Sequence, residues 1–392
     1  MGEMRKKLEE RDWSGLPPDV ASLFAGRLRC NVDRANMQLQ CRRWHATVSQ
    51  LPECTQLPWM LVPSRRSFLP QNSILSKAQF FCFLSGRSHF FPIPLHAHRA
   101  RFVGSTEGGW VVVATHHSTG YIMVNFRTER VIRLPESIIP HSDSFVLRAC
   151  AFSCAPSLAG NCLVASIVSI FDCSLNYTTH VAFSRLGASY LGCASEEVDA
   201  EDIIYFGGAF YCLTGLEDLL RFTPHFNRSD PVEDLAVSTT MNHFHPARHD
   251  DSFCVKGRYL VESRGELLMV ARYKNHSSDD TSSFGLFRMV PDDHRADLFR
   301  WESLAFEDRL IFVGRGCSRC YESNLYPECR EGVYFVDDDT FGQAAMVGYG
   351  FSNGRAYSAH DNGFWPGPGS EVIRSFDGRL PSAYSPPIWF LH

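Results

Sequence analysis

The sequence predicts a mainly β chain: a β-propeller of six or seven blades preceded by a small helical segment. Three observations carry this. Short apolar runs bounded by Gly, Asp or Ser recur from about Trp59 onward, as strands should. No long amphipathic stretch lies between them, which disfavours a parallel α/β sheet. Helical periodicity is confined to residues 14–50. The aromatic share of 13% agrees, because Phe, Tyr and Trp fit the pleated, half-buried face of a sheet.

Residues 11–50 form the first expected domain. Pro17 and Pro18 suit a helix entry, where a missing N–H costs nothing. Val20, Leu23, Phe24 and Leu28 then fall on one helical stripe. Arg29-Cys30-Asn31 makes a short break, with Asn31 as the N-cap of a second helix. That helix carries Val32, Ala35 and Leu39 on one line and Met37, Cys41, Trp44 and Val48 on another. So short a segment cannot cover all this apolar surface internally. It is either a cap on the larger domain or a docking surface for another chain.

Residues 55–392 form the second expected domain. Strand–turn–strand units read at 108–135, 202–222, 258–273 with 284–290, and 308–315 with 331–339. A spacing of roughly 45–55 residues fits four-stranded propeller blades. A large β-sandwich or jelly roll is the alternative. Residues 223–250 read as a long loop. Ala149 to Phe171 carries no charge, yet Pro156, Gly160, Asn161 and several Ser make it two buried strands around a turn, not a membrane span. After Pro386 and Pro387, Ile388-Trp389-Phe390-Leu391 reads as a short terminal strand locking the first and last blades together.

With 38 Lys+Arg against 43 Asp+Glu the net charge is −5, which excludes a strongly basic nucleic-acid binder. The start, MGEMRKKLEERDW, is charged throughout and reads as neither a secretory signal nor a transit peptide. Fourteen Cys are too sparse for a disulfide scaffold, so reduced thiols in cytoplasm or nucleus are expected. The sequons at Asn176, Asn227 and Asn275 are then accidental.

Motifs for chemistry are weak. There is no Walker A sequence, no G-x-S-x-G elbow and no H-E-x-x-H, and GYGFSNG (348–354) has the wrong glycine spacing for a dinucleotide turn. Cys317 and Cys320, with Cys329, resemble half of a zinc site whose partner pair is missing. His243, His245 and His249 surround Pro246, which breaks any helix that would align them. The acidic run Glu196, Glu197, Asp199, Glu201 and Asp202, and the triplet Asp337-Asp338-Asp339, read as solvated turns. Arg315 and Arg319, flanking Gly316, could hold an anion; a charged inter-strand loop is the plainer reading. No catalytic residue, metal or cofactor is expected, and the chemistry says binding module.

The segment 16–48 resembles an F-box through Leu16-Pro17-Pro18-Asp19-Val20, Leu28, Asp33 and the ending Cys41-Arg42-Arg43-Trp44. Arg34 stands where an aliphatic residue is common, and Gln40 where Val is usual. The remainder resembles the plant F-box family with a KIB-type β-propeller (domain of unknown function 295). It does so through LPWMLVP (57–63), FFPIPL (90–95), FVGSTEGGWVVVA (102–114), RWESL (300–304), VGRGCSR (313–319), EGVYFVDD (331–338) and PPIWF (386–390). The resemblance implies a non-catalytic substrate receptor of an SCF-type E3 ubiquitin ligase. Leu16, Pro17, Val20, Leu39 and Trp44 would dock the adaptor subunit and, through it, a cullin, while the propeller holds a target protein. No nucleic acid or membrane partner is implied. A non-ligase propeller scaffold with a degenerate F-box is the alternative, and a propeller enzyme a more distant one.

Overall fold

A computed structural model describes residues 15–392 apart from 53, 55, 64–76, 116–118, 140–144, 157–161, 172–176, 194–195, 227–234, 243, 246–252, 292–298, 339–356, 375–381 and 383. The chain divides into two units, Met1–Leu57 with Cys82–Arg87, and Pro58–Phe81 with Ser88–His392.

In the first unit Pro17 is the N-cap and Pro18 the first residue of helix α1 (Pro18–Arg27), as the missing N–H groups predict. The single second helix expected from the periodicity is two helices, α2 (Asn31–Gln38) and α3 (Arg42–Val48). The break falls at Cys41, which is extended (φ −160°) and accepts the Trp44 N–H on Sγ at 3.5 Å. A side-chain acceptor for an otherwise orphaned N–H is what starts a new helix there. Cys30, not Asn31, is the N-cap of α2. The buried centre is Ala21, Ala25, Met37 and Val48, with Leu28, Trp44 and Leu51 half-buried around it. Helix α1 therefore buries its alanines, whose small side chains let helices approach closely. Leu23 and Phe24, read on one helical stripe with Val20 and Leu28, stay 67% and 51% exposed.

The second unit is a six-bladed propeller. Blade I joins Ile388–Phe390, Trp59–Val62, Lys77–Cys82 and Arg87–Pro92, in that order from the axis. Blade II follows as Arg101–Thr106, Trp110–Ala114, Tyr121–Asn125 and Val131–Arg133. Blade III runs from Phe145–Phe152 through Leu163–Phe171 and Tyr177–Arg185 to Leu191–Cys193. Blade IV comprises Ala200–Phe206, Ala209–Thr214, Leu219–Phe226 and Leu235–Asn242. Blade V comprises Phe253–Ser263, Glu266–Asn275, Thr281–Pro291 and Phe299–Ser303. In blades III and V a two-residue strand from the preceding connection, Ile138–Ile139 or Phe244–His245, adds in parallel at the rim. Blade VI departs from the simple meander: Arg319–Glu322 is innermost, and Arg309–Val313 pairs in parallel with Gly332–Phe335, followed by Gly363–Trp365.

The charge-free stretch Ala149–Phe171 is the tail of one strand and the whole of its antiparallel partner, in register Phe152↔Val164 to Phe145↔Ile170. No helix among the described residues is long and apolar enough to cross a membrane. The expected loop 223–250 contains instead the fourth strand of blade IV, paired from Leu219↔Asn242 to Phe226↔Leu235. Its Ser238, Thr239 and Thr240 are exposed at the rim, so no apolar alternation marks it in the sequence. The terminal strand closes the ring as expected, antiparallel to Trp59–Leu61.

Candidate functional site

Two places concentrate function-capable side chains: the surface of the helical unit and the propeller axis. On the helical unit Leu39 is 81% exposed at the end of α2. Pro17 is exposed, and Leu16, Val20 and Trp44 are half-buried. Trp44 divides its surface: it packs against the alanine-centred core, and its Nε1 is buried with no acceptor among the described residues. Arg34 has a structural use. Its Nε donates to the carbonyls of Leu28 at 2.7 Å and Ala25 at 3.2 Å, and its Nη1 to that of Pro52 at 2.6 Å. Those first two carbonyls lie at the C-terminal end of α1, where a cation opposes the helix dipole favourably; the Ala25 carbonyl also accepts the Leu28 N–H at 3.1 Å.

On the axis the innermost strands bring charges from distant parts of the sequence together. Asp202 is buried and accepts three backbone N–H groups: Gly316 at 2.6 Å, Leu260 at 2.8 Å and Ile203 at 2.9 Å. Burial outweighs these donors and pushes its pKa up to about 7. Glu201 takes Arg258 Nη1 at 2.8 Å, and Glu217 takes Arg258 Nε at 2.9 Å, tying blade IV to blade V. Arg315 donates to the Glu201 carbonyl and lies 5.5 Å from the Tyr259 ring centre.

Fully buried Arg272 forms the largest knot. It donates to Asp361 Oδ2 at 2.8 Å, Val336 O at 2.9 Å, Asp338 Oδ1 at 3.1 Å and Thr281 Oγ1 at 2.6 Å, and lies 4.8 Å over Phe335. Burial works against its charge, but Tyr259, Asp361 and Asp338 more than offset this and raise its pKa. Burial likewise disfavours the Asp361 carboxylate, yet Arg272 and Lys256 hold its pKa at about 2. Between the inner strands lies a cavity of about 50 Å³ bordered by Arg101, Arg148, Arg315 and Asp338.

The profile of the KIB1-4 β-propeller family matches residues 80–364, which covers most of the chain. The chain belongs to the KIB1-4 β-propeller family. Its relatives include an F-box/kelch-repeat protein of Arabidopsis thaliana, 22% identical over 353 residues and 88% of each chain. An F-box protein of the same plant is 22% identical over 282 residues, 69% of this chain and 66% of the relative. The resemblance read from the sequence, a plant F-box protein with a KIB-type propeller, is thereby borne out. Among solved structures, the N-terminal domain of Nup159 aligns over 78% of this chain and 72% of its own at 9% identity. Its TM-score of 0.31 is too low to carry an argument.

For this KIB1-4 family member the charged runs are not simply solvated turns. Glu196, Glu197 and Asp199 are exposed, but Glu201 and Asp202 turn inward to the blade contacts, and Asp337 is buried. The reason is position: Glu201 and Asp202 lie on the innermost strand of blade IV, where blades V and VI supply donors, while Asp337 follows the third strand of blade VI and accepts the Asp361 N–H of its own blade at 3.3 Å. Arg315 is half-buried there and not in an open loop, while Arg319 is 3.7 Å from Glu107. Cys317 is buried, and Cys320 is bonded to Ser263 Oγ at 3.4 Å. His243, His249 and Asp339 lie outside the described residues, as does the side chain of His245. Arg272, Arg148 and Arg101 carried no local sequence signal, since their partners lie in other blades or other strands.

Proposed function

We propose that this chain is the substrate-recognition subunit of an SCF-type E3 ubiquitin ligase, working in the cytoplasm or nucleus. The helical unit docks the adaptor, and through it a cullin, while the propeller holds a target protein. The observation that carries this reading is the apolar surface left on a three-helix unit with so small a core: Leu39, Leu23 and Phe24 are 81%, 67% and 51% exposed. Exposed apolar groups gathered on one small unit mark interaction sites. The F-box relatives supply the class of partner. The receptor contributes proximity, raising the effective concentration of the target's lysines near the activated ubiquitin, and performs no bond chemistry itself.

The test is capture of the tagged chain with purified adaptor. Leu39→Asp and the double change Leu16→Ala with Pro17→Ala should each weaken adaptor binding by about thirtyfold, the effect of losing one central interface residue worth about 2 kcal/mol. Because Leu39 is exposed, its replacement should leave the melting curve of the free chain unchanged. A folded wild-type chain that binds no adaptor would refute the reading.

A further inference from the structure

We propose that Cys154 and Cys162 form a reversible modification site on the propeller, a dithiol that small disulfides of the glutathione class oxidise to an internal disulfide. The two residues stand on opposite arms of the hairpin between the first two strands of blade III. Phe152 pairs with Val164, and the Ser153 N–H donates to the Leu163 carbonyl at 2.9 Å, so two steps beyond the paired position bring Cys154 opposite Cys162. Facing residues of an antiparallel pair hold their Cβ atoms about 4.5–5.5 Å apart, and a disulfide needs about 3.5–4.5 Å. The side chains already meet: the thiols hydrogen-bond each other, and Cys162 Sγ donates to the Cys154 carbonyl at 3.2 Å. Cys162 is also fixed by its own carbonyl, which accepts the Leu186 N–H at 2.9 Å.

The two thiols differ in access. Cys162 is fully buried in the core of blades II and III, and burial pushes its pKa up to about 12. Cys154 is half-buried and borders a cavity of about 430 Å³. The C-terminal ends of the innermost strands of blades II to V wall this cavity, together with Arg319 and Cys320 of blade VI. Against about 30 Å³ for one water in the liquid, that volume admits a small peptide disulfide. Cys154 therefore meets the reagent first. Its thiolate attacks one sulfur, the reagent's S–S bond breaks, and one glutathione thiolate leaves with the electron pair. Cys162 then attacks Cys154 Sγ of the mixed disulfide. A new S–S bond joins the two residues, and the second glutathione leaves and takes up the Cys162 proton. In sum two protein thiols lose two electrons, and one glutathione disulfide becomes two thiols. Cys30 and Cys82 also touch, but both are buried, so the reagent does not reach them.

The experiment exposes the folded full chain to millimolar oxidised glutathione and maps the thiols by differential alkylation and fragmentation mass spectrometry. A Cys154–Cys162 disulfide should form, and excess reduced glutathione should reverse it. In Cys162→Ala the mixed disulfide on Cys154 should accumulate. In the wild type it should stay below about a tenth of the oxidised product, because the neighbouring thiol acts at a high effective concentration. Cys154→Ser should leave Cys162 unmodified, and it serves if Cys162→Ala does not fold. Cys320, on the same cavity beside Ser263 Oγ, should gain no more than a mixed disulfide. An unmodified Cys154, a mixed disulfide that persists on it in the wild type, a Cys30–Cys82 bond in place of the expected one, or a Cys154–Cys162 bond that forms only in urea would overturn the proposal.

Discussion

Replacing Trp389 tests how the ring is closed. Its side chain is fully buried in the terminal strand, its Nε1 donates to Val313 O of blade VI at 2.7 Å, and its ring meets Phe312 edge-on at 5.1 Å. Its own carbonyl accepts Ser105 Oγ of blade II at 2.6 Å, while the strand pairs with Trp59–Leu61 of blade I. One residue thus links three blades. Trp389→Ala removes a large buried ring, at about 3–5 kcal/mol. It also strips the Val313 carbonyl of a donor, at about 1–3 kcal/mol. The sum overlaps the whole stability of a typical domain, about 5–15 kcal/mol, so this variant should aggregate or unfold. Trp389→Phe keeps most of the apolar ring and loses the hydrogen bond, so about 2–3 kcal/mol is expected.

Urea unfolding followed by far-ultraviolet circular dichroism measures this without relying on Trp389 as its own probe. The midpoint should fall at constant slope for Trp389→Phe, the sign of lost stability in an unaltered unfolding reaction. Gly314→Ala supplies a control from the other side. An added Cβ there would stand 2.8 Å from Trp389 Cδ1 and 3.1 Å from Cys317 Sγ, so it should destabilise by displacing the same indole. If Trp389→Phe stays within about 0.5 kcal/mol of wild type, as surface substitutions do, the ring is not held by this contact.

Asp202 should make stability depend on pH. Its folded pKa of about 7 lies above the ordinary 3.8, so its contribution is complete below that ordinary value and is lost as pH rises through 7. Relative to Asp202→Asn, the wild-type melting temperature should fall between about pH 5 and 7, with a slope of at most about 1.4 kcal/mol per pH unit; parallel profiles would remove the effect. Arg34→Ala should cost the helical unit about 1–3 kcal/mol by leaving the Leu28 carbonyl with only the weak Cys54 Sγ donor at 3.7 Å. Hydrogen exchange should then speed up in α1 and α2 and remain unchanged in the buried strands Trp110–Ala114 and Leu163–Phe171; uniform protection in both variants would refute it.

The parts legible in the sequence are those whose own residues pay for their burial. Trp110–Ala114 and Tyr121–Asn125 are buried at every position, and apolar runs bounded by turn residues announced them. Leu235–Asn242 was not legible, because its pairing with Leu219–Phe226 is made by backbone groups and its described side chains are mostly exposed. The break between α2 and α3 was hidden because the apolar period continues through Cys41 while the backbone does not. Leu23 and Phe24 share a helical stripe with Val20 and Leu28, but which face packs was not legible, since the helices pack through the smaller Ala21 and Ala25.

The charged residues misled for a different reason. Reading a charge run by its sequence neighbours prices each residue against water, and exposed turns then win. A propeller instead brings different blades into contact, so that Arg272 of blade V meets Asp361 of blade VI and Arg315 of blade VI meets Glu201 of blade IV across long sequence separations. Desolvation there is offset largely by partners from other blades, which sequence distance conceals.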